Sequence, residues 1–195
     1  MNPEAFTTIE QAATGRCHGS VLDVGAGTGL HSLVLQERGF AVTAIDIMPQ
    51  AVEIMRRRGV SDARLGDFGF EGGPFDTLLM LGHGIGMVQT IRGLDRFLAH
   101  AHRLVTPGGQ VLLDSLDVRR TSDPQHLAYQ EANRRAGRYV GEIRIQFEFR
   151  GRAGPCCGWM HLDSETLKEH ARKACWKCGV VHEADGGEYL ASLSL

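Results

Sequence analysis

Along the first 115 residues, short apolar runs alternate with segments in which apolar residues recur every three or four positions. Ser20 to Val24, Ala41 to Ile45, Ala63 to Leu65, Asp76 to Leu81 and Gln110 to Ser115 read as strands. The fourth is apolar almost throughout, as a strand covered on both faces requires. Thr28 to Arg38, the segment from Pro49 to Gly59, and Leu94 to Val105 read as helices, and Pro107-Gly108-Gly109 as a turn. This order predicts βαβ units and a parallel sheet with helices on both faces.

The second half changes character. Pro124 to Arg138 reads as a polar helix. Glu142 to Arg150 alternates strictly, with Ile143, Ile145, Phe147 and Phe149 on one face, and is expected to be a half-buried strand. Gly151 to Pro155 is expected to turn it back toward a partner over Gly158 to Leu162. Ser164 to Lys173 reads as a helix with Ser164 as its N-cap. Two strand runs around Asp185-Gly186-Gly187 form a closing hairpin. Residues 1–195 therefore read as one α/β domain, a five-strand parallel sheet with an antiparallel hairpin added at its far edge. Residues 117–163 form a small α+β insert after strand five.

Composition narrows the function. A net charge of −2 lacks the basic surface of a general nucleic-acid binder, and none is expected as partner. The opening MNPEAFTTIEQAATGRCHGS has acids and no apolar core, so it does not read as a secretion signal. No run is long enough to span a membrane. Five cysteines, an odd number, make no disulfide framework and point to a reducing, cytoplasmic setting.

The strongest chemical signal is Val21-Leu-Asp23-Val-Gly25-Ala26-Gly27-Thr28-Gly29, at a strand-to-helix junction. Alternate glycines let backbone approach a ligand and leave helix N–H groups facing it. The dinucleotide fingerprint G-x-G-x-x-G would need glycine at position 30, which is Leu. Asp46 ends strand two, where a carboxylate can accept both hydroxyls of a ribose; the plain alternative is an N-cap for the helix that Pro49 opens. Asp67, in Gly66-Asp67-Phe68, can accept from an adenine amino group, with Phe68 or Ile47 against the ring; the plain alternative is an Asx-turn. His83 is the titratable residue at the end of strand four, as a general base or as an ordinary loop histidine.

These segments, with TLLMLG and RLVTPGGQVLLDS, resemble the class I S-adenosylmethionine-dependent methyltransferases. The resemblance implies S-adenosylmethionine as cofactor and a Rossmann-like seven-stranded, mostly parallel sheet with an antiparallel last strand. It places Gly25, Gly27 and Gly29 under the methionine and ribose, with Asp23, Ala26 and Thr28 in the same loop. Asp46, Ile47 and Met48 would surround the ribose, Gly66, Asp67 and Phe68 the adenine, and Leu81 and Gly82 the methyl group, beside His83. Transfer from a sulfonium is an in-line displacement that rests largely on positioning. Two rival readings remain, a non-catalytic S-adenosylmethionine-binding subunit and a nicotinamide-dependent oxidoreductase.

Acceptor type is read less directly. Gly-His-Gly-Ile replaces the Asn/Asp-Pro-Pro-aromatic run of members that methylate exocyclic amino groups of DNA bases or protein glutamine, and Pro155-Cys156 follows strand five instead of four. The insert holds eight arginines and six acids, either a solvated surface or a lid for an anionic acceptor. Tyr129, Tyr139 and Trp159 either line an acceptor pocket or form its seat on the sheet. A small-molecule acceptor and a monomer or homodimer are expected. Cys156, Cys157, Cys175 and Cys178, with His161, His170 and His182, are candidates for zinc. Adjacent strand cysteines point to opposite faces, so ordinary packing is expected and no metal is assigned.

Overall fold

Strand β4 (Phe75–Met80) shows how the sheet is built. Leu78, Leu79 and Met80 are fully buried. Leu78 and Met80 join a cluster with α4 (Ile91–Leu104) and α6 (Ser164–Lys173). Leu79 faces the other way, toward α1 (Thr8–Arg16). The period of two thus feeds two cores, one on each face. On α4, Leu94, Phe97, Leu98 and Ala101 are buried at helical spacing, and the Thr90 hydroxyl accepts the Gly93 N–H at 3.1 Å to cap its start.

The computed structural model describes residues 6–195. The reading of the opening segment as no secretion signal falls partly on residues 1–5, outside the described residues, as does the start of the 1–195 domain reading. Among the described residues, no helix is long and apolar enough to cross a membrane.

The main sheet has seven strands in the order β3 (Ala63–Leu65), β2 (Val42–Asp46), β1 (Val21–Val24), β4, β5 (Val105–Leu116), β9 (Glu188–Ser194), β8 (Lys177–Glu183). All pairs through β5 are parallel, and β9 is antiparallel to both β5 and β8. This is the expected mostly parallel architecture with an antiparallel last strand. α2 (Leu30–Glu37) and α3 (Pro49–Arg58) follow β1 and β2. Strand order reverses between β1 and β4, the place where open α/β sheets hold ligands outside the strands' carboxyl ends.

Between β5 and α6 lie α5 (Pro124–Arg135) and a separate two-stranded sheet of β6 (Glu142–Phe149) and β7 (Arg152–Met160). Here the structure corrects three expectations. The turn is Arg150-Gly151, both at positive φ (51° and 73°), and 152–155 are already strand, because the pair at positive φ suits a two-residue hairpin. β6 is not half-buried along its length: Phe147 and Phe149 are 70% and 73% exposed, since the hairpin runs past the main sheet and only its base is packed. Asp163 caps α6 in place of Ser164, with Oδ1 accepting the N–H of Glu165 and Thr166. α1, capped by Thr7, and a short 3₁₀ turn at Gly84–Val88 were not expected from the sequence.

Candidate functional site

The glycine loop turns sharply between β1 and α2. Gly25, Gly27 and Gly29 have φ of 73°, 56° and 76°, a region that costs any residue with a Cβ. Helix α2 therefore starts at Leu30, not Thr28, with Gly29 as a left-handed N-cap. The three glycines do different things. A Cβ on Gly29 would meet Val60 Cγ2 at 2.8 Å and Met55 Cγ at 3.0 Å, so this glycine lets α2 pack on α3 and its following loop. A Cβ on Gly25 would strike Met87 Cε at 2.6 Å. At Gly27 it would project into open space, where a ligand can reach the backbone.

Asp46 is 8% exposed and holds this loop. Its Oδ2 accepts the Gly27 N–H at 2.9 Å and its Oδ1 the Met48 N–H at 2.8 Å. α3 is capped instead by Met48, without a side-chain bond, so the N-cap alternative for Asp46 does not hold. A carboxylate has about four acceptor positions, and Asp46 keeps two for ribose hydroxyls. Next to it, Ile47 and Met48 are 68% and 54% exposed, an apolar ledge at the sheet edge. Open space over Gly27, spare acceptors on Asp46 and this ledge fit a nucleoside. Asp23 is buried, and the Ser32 hydroxyl donates to it at 2.5 Å. Burial raises its carboxyl above the usual range, and it ties β1 to α2 from beneath the loop.

The other loop residues divide. Asp67 is exposed, and its Oδ1 accepts the Gly69 N–H at 2.8 Å, so the Asx-turn is present. Its Oδ2 stays available to a ligand. The Gly66 N–H donates to the Asp46 carbonyl at 3.0 Å, joining the β2 and β3 ends. Phe68 packs edge-on against Phe97 at 6.3 Å between centroids, anchored in the core. Thr28 is exposed, with its hydroxyl and carbonyl bonded to Arg58, and Ala26 is buried.

At the end of β4, Leu81 is buried, while Gly82 and His83 are left-handed, with φ of 69° and 57°. Gly84 packs by the Val24 carbonyl and Met87 touches Gly25, so this segment borders the glycine loop. Asp114, at the end of β5, was not found from the sequence. Its carboxylate accepts the His83 N–H at 2.9 and 3.1 Å, fixing the strained residue. The His83 ring lies 3.8 Å from Asp114 and 3.7 Å from Glu188 on β9. His161, just past β7, stands edge-on to it with centroids 5.4 Å apart. Nδ1 of each ring is buried and has no hydrogen-bond partner among the described residues. Burial foremost, then the charge of His83, pushes His161 down to about 4, so it is neutral near pH 7. Burial raises Asp114, opposed by its bonds and charge interaction with His83.

His161 is also a wall of a cavity of about 610 Å³, within the usual size of ligand sites, bounded by the end of β5, by Gly186 in the turn before β9, and by the insert. The cavity does not include the glycine loop; the His83–His161 pair lies where the two regions meet. Of Tyr129, Tyr139 and Trp159, Tyr129 lines this cavity. Tyr139 donates to Asp163 at 2.5 Å, and Trp159 packs on Gly86, where a Cβ would meet its ring at 2.1 Å. Those two form the seat of the insert. The cysteines lie on separate elements, Cys156 and Cys157 on β7 and Cys175 and Cys178 around the start of β8. Among the described residues, no three His, Cys, Asp or Glu side chains gather as a metal-holding group.

A family model described as a methyltransferase domain matches residues 21–109. A SAM-dependent methyltransferase from Bacteroides fragilis, solved with S-adenosyl-L-homocysteine, superposes with a TM-score of 0.85 at 33% identity, over 98% of this chain and 78% of that one. A demethylmenaquinone methyltransferase from Tropheryma whipplei is 34% identical over 99 residues, 48% of this chain and 40% of that protein. A malonyl-[acyl-carrier protein] O-methyltransferase from Serratia marcescens is 35% identical over 98 residues, 49% of this chain and 38% of that one. The chain thus spans about two-fifths of the length of these curated relatives.

Proposed function

This chain belongs to the class I S-adenosylmethionine-dependent methyltransferases, and we propose that it methylates a small-molecule acceptor held in the cavity under the insert, with His83 as general base. The observation that carries this reading is the continuity from glycine loop to His83 to His161 to cavity. It favours catalysis over the non-catalytic subunit, because a cofactor-binding subunit needs no second cavity beside the methyl end.

S-adenosylmethionine supplies, when bound, a methyl group on a sulfonium that needs no further activation. Gly25 and Gly27 would admit it to the loop backbone, Asp46 would hold its ribose hydroxyls and Asp67 its adenine amino group, and Leu81 and Gly82 would lie toward its methyl group. His83 removes the acceptor proton, and neutral His161 stands beside that ring on the cavity side. The insert of residues 117–163 acts as the acceptor-side part of a single domain, and the five unpaired cysteines suit a reducing cytoplasm.

The test is calorimetric titration with S-adenosylhomocysteine and, in parallel, NADH. Micromolar binding of the first alone supports the cofactor assignment; binding of NADH alone overturns it. His83→Asn should then lower kcat for methyl transfer by about 10²- to 10⁴-fold, and a His83→Asn enzyme with wild-type kcat would remove His83 as the base.

A further inference from the structure

The cavity has a charge pattern of its own. Its body is apolar, formed by Leu116, Val118, Tyr129, Val140 and Ile143. Two guanidinium side chains, Arg120 and Arg144, belong to its wall. One acid, Asp117, also belongs to the wall and is already engaged. Asp117 binds Arg119 at 2.8 Å and reaches Arg120 only at 3.9 Å. Arg144 has no ion pair or hydrogen bond among the described residues. Of the cavity's two histidines, burial keeps His161 neutral, and the His126 ring is bonded to the Thr121 hydroxyl at 3.1 Å.

We infer that the acceptor is an organic acid, with an apolar or aromatic body against Tyr129 and Ile143 and a carboxylate or phosphate held by Arg120 and Arg144. This rests on the reading that the cavity is the acceptor site. Guanidinium groups bind such oxyanions through paired, charge-assisted hydrogen bonds, and an unpaired arginine beside an apolar wall selects for a molecule with both features. The anion stays at the arginine end, so the methyl group goes to a different atom of the acceptor, the one nearer His83.

The inference is tested by titrating protein saturated with S-adenosylhomocysteine with 4-hydroxybenzoate, phenyl phosphate and neutral 4-hydroxybenzamide. Expected is binding of one or both acids, at least about tenfold tighter than the amide, and weakening with added salt. Preference for benzoate or for the phosphate identifies the anion. Arg144→Gln and Arg120→Gln should each weaken acid binding about tenfold, leave the amide unchanged and leave S-adenosylhomocysteine affinity within about twofold. Arg144→Lys should recover part of the loss. Equal binding of acid and amide, no acid binding up to about 10 mM, or unchanged affinity in both glutamine variants would overturn the inference. Failure of the protein to bind S-adenosylhomocysteine would instead overturn the function on which it rests.

Discussion

Asp114 holds His83 by its backbone, with both carboxylate oxygens within 3.1 Å of one N–H, and stands 3.8 Å from the ring. The same acid therefore fixes a left-handed residue and supplies a charge beside a candidate base. Asp114→Ala leaves that N–H without its partner and is expected to cost about 1–3 kcal/mol of stability in urea unfolding. Asp114→Asn keeps an oxygen for the N–H but loses the charge. It should fold nearly as well and still lower kcat. An Asn variant with unchanged kcat would reduce Asp114 to a structural role.

Asp46 bonds the glycine loop and faces the proposed ribose position at once. Asp46→Ala should weaken S-adenosylhomocysteine binding by tenfold or more, about 1.4 kcal/mol or beyond, by calorimetry. An unchanged dissociation constant would refute the ribose assignment.

Two substitutions in the same loop should separate packing from ligand approach. Gly29→Ala combines positive φ with a Cβ 2.8 Å from Val60, and should destabilise the fold by about 2–4 kcal/mol. Gly27→Ala carries the backbone cost alone, about 1–2 kcal/mol, and should chiefly weaken cofactor binding. Thermal melts with and without S-adenosylhomocysteine distinguish the two: ligand should rescue the Gly29→Ala variant far more than the Gly27→Ala variant.

His161 predicts a pH dependence. Its folded value, about 4, lies below its ordinary 6.5, so the unfolded chain binds the proton first as pH falls. Stability from this group is complete above about 6.5 and is lost on acidification toward 4. Partial exposure screens the effect, leaving about 1–2 kcal/mol. His161→Gln should flatten the stability profile across that window. A variant profile parallel to wild type would show that His161 does not titrate in this way.

Legibility followed the kind of constraint each residue obeys. The parallel half was readable because buried strands, turn glycines and Pro49 at a helix start act locally, and the Asp46 position follows from the same pattern. The insert was harder. Strict alternation in β6 states that its faces differ, not that one is covered, and Phe147 and Phe149 lie in the open. Asp114 was hidden because one acid in the run Val111 to Leu116 has no spacing partner; only the strand pairing brings it to His83. His161 was legible only as a zinc candidate, since its neighbour is 78 positions earlier and meets it through the fold.

The place of β9 between β5 and β8 has a consequence for synthesis. Residues emerge from the ribosome at about 5–20 per second, and every other strand of the sheet is out before β9. Until then β5 and β8 have no neighbour between them, and their open edges invite pairing with other chains. Glu188, the first residue of β9, reaches His83, so the proposed catalytic end is completed by the same late step. A nascent chain halted before β9 would already carry the glycine loop and Asp46, but neither a closed sheet nor a finished acceptor site.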